Sequence, residues 1–152
     1  MSQGSTLIPH LVVKGAAKAC DFYKKAFGAV ELNRMPDPSG SDRLMHAHLQ
    51  VEGADLMLCD DFPEHCGGVS RAPNGPSPVT IHLNVPNADA AIAKAAAAGA
   101  SVTMPAQDMF WGMRYGQVVD PFGHSWSIAH TLTEEQTKAA QAKFAEFCGG
   151  PK

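Results

Sequence analysis

The sequence has no long apolar run, no basic segment and only a modest number of charged residues. Of its 152 residues, 18% are charged, and the net charge is −3. No apolar run approaches the roughly 18 residues that a membrane-spanning helix requires, and there is no basic surface pattern typical of nucleic-acid binding. Residues 1–6 are polar and lack the basic and apolar regions of a signal peptide. We therefore expect a cytoplasmic protein that binds neither membranes nor nucleic acids.

Cysteine is also scarce, which bears on how the fold is stabilised. The four cysteines, Cys20, Cys59, Cys66 and Cys148, form no CxxC pair and are too sparse for a disulfide scaffold. The apolar fraction of 45% excludes intrinsic disorder. A chain of this size buries about two-thirds of its surface on folding. We expect a single domain over residues 1–152, with reduced thiols and a sizeable apolar core.

The predicted secondary structure repeats. Residues 7–61 predict a strand, a helix and three further strands, and residues 79–130 predict the same order. Residues 62–78 contain four prolines and three glycines, which is typical of a linker. A third helix is predicted over residues 133–148, with a capping box at its start. This order predicts an α+β fold of two tandem βαβββ modules whose sheets face or flank each other, plus a C-terminal helix.

Strand alternation predicts which side chains face away from the helices. In the third strand, one face carries Met45, Ala47, Leu49 and Val51, and the other carries Leu44, His46, His48 and Gln50. The same alternation places His10 in the first strand and His82 in the fifth strand on the face away from the helices. His10 and His82 occupy equivalent positions in the repeat. These four histidines predict the polar lining of a cavity, although a partly hydrated antiparallel face is the alternative.

Four further residues are candidates for the same site, and each has a structural alternative. Met57 and Cys59 are predicted to lie on the cavity wall. A neighbouring histidine could activate Cys59 as a nucleophile, or Cys59 could be an ordinary core residue. Arg114 could bind a carboxylate or phosphate through two hydrogen bonds, or it could pair with an acidic loop residue. Trp111 could line or cover the cavity, or it could belong to the core.

A second motif competes for the paired histidines of the third strand. His46-x-His48 followed by Glu52 matches the first cupin motif, and two imidazoles on one strand face could chelate Zn, Ni or Fe. A cupin is a barrel of strands, whereas this chain predicts a helix inside each repeat. The cupin interpretation is therefore disfavoured.

Several segments resemble a known superfamily. They are Ile8–Leu11, Ala19–Ala29, Met45–Leu49, Leu56–Asp61, Trp111–Gly116 and Asp120–Trp126. Together they are similar to the vicinal oxygen chelate superfamily, which includes glyoxalase I, extradiol dioxygenases and bleomycin resistance proteins, and more closely to its PhnB-like branch. The resemblance implies the glyoxalase/bleomycin resistance fold, in which the two modules form a half-open curled sheet around a cleft.

The resemblance also bears on metal binding. The metal enzymes of this superfamily usually take His, Glu, His and Glu ligands from four strands. The matching positions here are Ile8, Met57, Thr80 and Ser127. The resemblance therefore implies a protein that binds a small polar or anionic organic molecule in the cleft without the usual divalent metal.

Two alternatives remain open for the function. One is a metal-dependent lyase or dioxygenase that uses relocated ligands, His10, His48 and His82, to hold Zn, Ni or Fe. The other is a regulatory or interaction module in which the sheet face is a subunit interface.

A homodimer is expected on two grounds. Members of this superfamily with similar size commonly pair, and the open sheet edges of two short modules favour protection by a partner. The C-terminal helix carries an apolar stripe that includes Phe144 and Phe147, which makes it a candidate for that contact.

Overall fold

The fold is α+β, as predicted, with two four-stranded sheets. The structure, a computed structural model, describes residues 4–149. Its elements are β1 (His10–Val13), α1 (Ala16–Phe27), β2 (Val30–Pro36), β3 (Leu44–Val51), β4 (Ala54–Asp60), a short 3₁₀ helix (Pro63–His65), β5 (Thr80–Asn84), α2 (Ala88–Ala98), β6 (Ser101–Asp108), β7 (Met113–Val119), β8 (Ser125–Thr131) and α3 (Glu134–Cys148). No helix among these residues is long and apolar enough to cross a membrane.

The two sheets have the same topology. Their strand orders are β1-β4-β3-β2 and β5-β8-β7-β6. In each sheet the first strand runs parallel to the last, and the remaining pairs are antiparallel. The turn residues Glu52-Gly53 and Asp120–Gly123 predict two antiparallel hairpins, and both are present. The repeat of βαβββ order inferred from the sequence is therefore confirmed.

Several strand ends differ from their predicted positions. β1 begins at His10 rather than at residue 7. The residue pattern predicts that the sixth strand ends at Met104, but β6 extends to Asp108 and includes Pro105. Proline lacks a backbone N–H, but β6 is an edge strand, and its register with β7 shifts around this position. An edge strand tolerates the missing donor because that side of the strand pairs with no neighbour.

A bulge in β3 reverses the predicted alternation at the start of that strand. Met35 pairs with His46, while the next residue, Pro36, pairs with Leu44, so Met45 is the extra residue. Leu44 consequently lies in the core at 4% exposure, and Met45 is 39% exposed. The prediction that Met45 faces the helices and Leu44 faces away is therefore wrong. The histidines of β3 lie beyond the bulge and keep their predicted face.

The two modules share one core on the helix side of their sheets. Helix α1 buries an aromatic cluster in which Phe27 packs against Trp126 of β8 at 4.6 Å between ring centroids, and Phe22 contacts Phe122 at 6.2 Å. The helix ends at Gly28, whose φ of 66° requires the left-handed conformation that glycine adopts without strain. Helices α1 and α2 also pack against each other. Aromatic residues of the second module thus cover the aromatic side chains that α1 of the first module presents.

A buried carboxylate joins the modules. Asp120 is 3% exposed and accepts hydrogen bonds from the Tyr23 hydroxyl at 2.6 Å and from Trp126 Nε1 at 2.9 Å. Its other oxygen accepts from the backbone N–H groups of Phe122 and His124. Burial, followed by the charge of Asp120, raises the pKa of Tyr23 well above its usual range, so its hydroxyl remains a donor. One side chain therefore holds α1, the β7–β8 turn and β8 together.

Helix α3 follows the second module and begins as predicted. Thr133 and Gln136 form the capping box. Only Ala140 of this helix is buried, and Phe144 stacks on Phe110 at 4.0 Å between ring centroids. Phe147 is 84% exposed. The predicted apolar stripe is therefore only partly covered by its own chain.

The Asp120 network predicts a large stability difference between two substitutions. Asp120→Ala leaves the buried Tyr23 hydroxyl and Trp126 indole N–H without an acceptor, so we expect a loss of about 3 kcal/mol in the free energy of unfolding. Tyr23→Phe removes one donor and leaves Asp120 three others, so we expect a loss of about 1 kcal/mol. Urea denaturation monitored by tryptophan fluorescence measures both. If both variants lost the same free energy of unfolding, the conclusion that Asp120 holds the two modules together would be contradicted.

Candidate functional site

Each sheet has one face that no helix covers. The first open face is defined here by side chains of β1, β3 and β4, namely His10, Val12, His46, His48, Gln50, Asp55, Met57 and Cys59. The second open face is defined by side chains of β5, β7 and β8, namely His82, Asn84, Tyr115, Gln117 and Ser127. On both sheets the intervening residues point to the core because side chains alternate along a strand. The two open faces are the candidate sites.

The first open face brings His10 and His46 together. Their rings stack with centroids 6.1 Å apart and planes within 12°. His10 and His48 are both register partners of Met57. Burial lowers the pKa of His10, and the neighbouring His46 and Arg71 lower it further. His10 is therefore held toward its neutral form.

Arg71 is a site residue that sequence reasoning missed. Its backbone N–H donates to Asp61 Oδ1 at 3.0 Å, which fixes the linker beside the end of β4. The guanidinium lies near enough that its charge lowers the pKa of both His10 and Cys59. Arg71 stands in a linker rich in proline and glycine, where no periodicity relates it to the strands. Only the path of the folded linker brings it to the first open face.

Cys59 lies on the predicted wall, but its environment does not activate it. Burial raises the pKa of its thiol, and the opposing influence of Arg71 is smaller. The thiol is therefore neutral near pH 7. This environment disfavours Cys59 as a nucleophile and favours a packing role beside Met57.

His48 is oriented by a carboxylate. Its Nε2 lies 2.9 Å from Asp55 Oδ1, which also accepts from Gln50 Nε2 at 3.1 Å, while Asp55 Oδ2 accepts from the Ser5 backbone N–H. The donors from Gln50 and His48 lower the pKa of Asp55, so this carboxylate is ionised and acts only as an acceptor. His48 therefore carries its proton on Nε2.

The second open face carries a different polar cluster. His82 stacks on Tyr115 with ring centroids 6.1 Å apart. Its Nδ1 lies 2.7 Å from Ser127 Oγ, and its Nε2 lies 3.0 Å from Asn84 Oδ1. Gln117 donates to the Tyr115 hydroxyl at 2.9 Å. Sequence reasoning identified His82 but gave Asn84, Tyr115 and Gln117 no role in the site.

Arg114 lies on the helix side of its sheet, where acidic side chains engage its guanidinium. Its guanidinium forms two hydrogen bonds to Asp89 of α2, at 2.6 and 2.9 Å, and one to Asp108 of β6 at 2.8 Å. It therefore joins a helix to the edge strand on the helix side of the sheet. The alternative interpretation of Arg114, pairing with an acidic residue, is the one that these contacts support.

Trp111 lies next to the second open face. Its ring contacts Tyr115 edge-on at 5.6 Å between centroids, and the residue is 51% exposed. It also contacts Phe110, which stacks on α3. Trp111 is therefore a surface aromatic at the border of the second open face rather than a core residue.

The predicted site residues form two groups within one chain. The contacts between modules run through the helix side and through His124, whose Nε2 lies 2.9 Å from the Val12 carbonyl oxygen. Within residues 4–149, no hydrogen bond, ion pair or ring contact joins the two open faces. A pocket between the modules is lined by Asp55 of the first open face and His82 of the second. The single shared cleft expected for His10, His46, His48 and His82 stays a prediction.

The donor set does not fit the metal centre of the superfamily. The four matching positions carry Ile, Met, Thr and Ser, none of which offers a charged or imidazole ligand. In the described part of the chain, no group of three or more His, Cys, Asp or Glu side chains is arranged to hold a metal. The relocated set His10, His48 and His82 therefore does not form a chelating group within one chain.

Comparison with known proteins assigns the family. A sequence model of the Glyoxalase/Bleomycin resistance protein/Dioxygenase superfamily matches residues 6–128. The chain belongs to this superfamily. An uncharacterized protein of Mycobacterium bovis is 51% identical over 138 residues, which cover 90% of each chain.

Solved structures agree with this superfamily fold. A Pseudomonas aeruginosa protein superposes with a TM-score of 0.67 at 27% identity, covering 86% of this chain and all of that one. A PhnB protein of Bacillus cereus superposes with a TM-score of 0.65 at 15% identity, covering 84% of this chain and all of that one. The second likeness shows the fold alone. The fold inferred from the sequence resemblance is confirmed.

The proximity of Arg71 to His10 predicts a measurable titration shift. Arg71→Ala removes a positive charge that disfavours protonated His10, so we expect the pKa of His10 to rise. Histidine ring signals followed by NMR between pH 5 and 8 measure it. Arg34→Ala is the matched control because Arg34 pairs with Glu31. A His10 titration that is the same in all three proteins would contradict the placement of Arg71.

Proposed function

We propose that the protein binds a small anionic organic molecule on the first open face, without the divalent metal used by the metal enzymes of its superfamily. The observation that carries the proposal is the position of Arg71. Within residues 4–149 its guanidinium forms no ion pair, and its charge acts on His10 and Cys59. A guanidinium binds a carboxylate or a phosphate through two parallel hydrogen bonds.

The surroundings of Arg71 suit an organic anion. The stacked His10–His46 pair offers ring faces and N–H donors, and Met57 and Cys59 offer apolar, polarisable surface. His48 contributes a ring whose orientation is set by Asp55. Small-molecule sites combine apolar lining with a few placed polar groups. A hard cation would prefer carboxylate oxygens, and the ionised Asp55 is already engaged by three donors.

A second copy of the chain is the proposed partner. Members of the superfamily often form dimers, and within residues 4–149 no hydrogen bond, ion pair or ring contact joins the two open faces. Strand β2 is a free sheet edge with three exposed apolar residues, Val30, Leu32 and Met35. Free edges favour pairing with another chain. A homodimer could place the first open face of one copy beside the second open face of the other.

We also assign the chain to the PhnB-like branch of the superfamily. The segments Trp111–Gly116 and Asp120–Trp126 carry this assignment. In the structure, the second segment contains the buried Asp120 and Trp126 that anchor the core. Membership of this branch does not by itself indicate which molecule the protein binds.

A thermal-shift screen tests the ligand proposal. The probes are a panel of small monocarboxylates, dicarboxylates and phosphonates at millimolar concentration. A ligand at 100 times its Kd adds about 2.7 kcal/mol to the stability of the folded state, which raises Tm by several degrees. We expect at least one probe to raise Tm, and the Arg71→Ala variant to lose most of that rise.

Arg34→Ala serves as the charge-matched control and should keep the full rise in Tm. The proposal fails if no anion in the panel raises Tm, or if Arg71→Ala responds as strongly as the wild type. Isothermal titration calorimetry of the best probe then gives Kd for each variant. We expect His10→Ala to weaken binding and Arg34→Ala to leave it unchanged.

The homodimer has its own test. Light scattering at micromolar concentration should give the mass of two chains. Phe147→Asp places a charge on an exposed apolar residue of α3, so we expect a shift toward the mass of one chain if α3 forms the contact. A wild-type protein with the mass of one chain at this concentration would contradict the dimer.

A further inference from the structure

We propose that Ser127, His82 and Asn84 form a hydrolytic triad on the second open face, which cleaves esters of small acyl groups through an acyl-serine intermediate. The proposal goes beyond anion binding and does not depend on it, because it uses no residue of the first open face. Three side chains of the right chemistry lie in hydrogen-bonded order: a hydroxyl, an imidazole and an acceptor that orients the imidazole.

The hydrogen bonds fix the role of each nitrogen of His82. Asn84 Oδ1 is a carbonyl oxygen and can only accept, so His82 Nε2 carries the proton and donates to it across 3.0 Å. A neutral imidazole has a single N–H, so Nδ1 has a free lone pair. The Ser127 hydroxyl therefore donates to Nδ1 across 2.7 Å. This is the arrangement in which an imidazole takes a proton from a nucleophile.

The backbone holds the three groups in place. His82 and Ser127 are register partners on the paired strands β5 and β8, so their side chains lie side by side on one face. Asn84 follows two residues after His82 and shares that face. Stacking on Tyr115 restricts the tilt of the imidazole. The arrangement rests on sheet geometry rather than on a loop.

The position of Ser127 restricts the substrate. Ser127 is 3% exposed and lies at the base of the second open face, between Trp126 and Ile128, which point into the core. A large acyl group cannot reach its Oγ without displacing neighbouring side chains. The structure therefore favours an acetyl or a similarly small acyl group, with the alcohol portion directed outward.

Gln117 and Tyr115 of the neighbouring strand β7 are the candidate donors for the developing oxyanion. Gln117 is the register partner of Ser127 on the other side, in β7. Its amide uses one hydrogen to donate to the Tyr115 hydroxyl and has a second hydrogen. The Tyr115 hydroxyl provides a further O–H donor. Donors placed where negative charge develops commonly contribute a large part of such catalysis.

The reaction balances without a cofactor. Ser127 Oγ attacks the acyl carbon as its proton moves to His82 Nδ1, and the ester C–O bond breaks. The leaving alcohol takes that proton, which leaves an acyl-serine. Water then attacks the acyl carbon, again giving a proton to Nδ1, and the carboxylic acid departs as Ser127 recovers its proton. The sum is ester plus water giving acid plus alcohol.

Acetylation by p-nitrophenyl acetate tests the triad. We expect a burst of p-nitrophenolate and, after acid quench, the mass of one acetyl group on the peptide that contains Ser127. Ser127→Ala should abolish both. His82→Ala should slow the burst by about 100-fold or more, the usual contribution of a general base.

Matched variants separate the triad from surface chemistry. Ser125→Ala removes a serine two residues away on the same strand and should retain the wild-type burst. Asn84→Ala should slow the burst, and Asn84→Asp, which still accepts from Nε2, should restore it. The proposal is overturned if acetyl groups appear only on lysine or cysteine. It is also overturned if Ser127→Ala gives the same burst as Ser125→Ala and the wild type, once circular dichroism shows that both variants are folded.

Discussion

The carboxylate of Asp120 is the interaction on which the arrangement of the two modules depends. It is buried, and every group that it accepts from is either a core aromatic or the backbone of the turn before β8. A buried charge is tolerated only when it is fully hydrogen-bonded. The modules must therefore meet on their helix sides, with Tyr23 of α1 reaching into the second module. Because of this contact, helices α1 and α2 pack on the inner side of the two sheets. The other face of each sheet is therefore not covered by a helix.

The two open faces share a topology but differ in chemistry. The first has a guanidinium, a stacked pair of imidazoles and an imidazole bound to a carboxylate, so charge is concentrated there. The second has no charged partner in its central cluster and instead orders an imidazole between a hydroxyl and an amide. The first face therefore suits recognition of an anion, and the second suits proton movement between neutral groups. Repetition of a module supplied two similar scaffolds, and their side chains give the two open faces different chemistry.

The superfamily assignment fixes the fold and leaves the chemistry to particular residues. The positions that hold a metal in related enzymes carry Ile8, Met57, Thr80 and Ser127 here. Ser127 instead lies against His82, two residues beyond the matching position Thr80 in β5. The same part of the sheet can thus support a different set of polar contacts when its ligands change. A shared fold is therefore a weak guide to activity.

Much of the fold, and part of each candidate site, could be predicted from the sequence because these features depend on local order. The repeat, the capping box of α3 and the turn at Asp120–Gly123 follow from alternation, helical periodicity and turn chemistry. So do the open faces that carry His10, His46, His48 and His82. The resemblance to a superfamily added the overall fold.

Tertiary structure alone decided the remaining features, because each depends on residues far apart in the chain. The extra residue at Met45 becomes visible only when β3 pairs with β2, so alternation by itself misplaced Leu44. The path of a linker that has no periodicity brings Arg71 close enough for its charge to lower the pKa of His10. The sequence leaves Arg114 open between a ligand and an acidic partner, because it does not show that Asp89, 25 residues earlier, lies beside it. The sequence determined which side chains share a strand face, and only the packing of helices, linker and sheets determined which of those faces a ligand can reach.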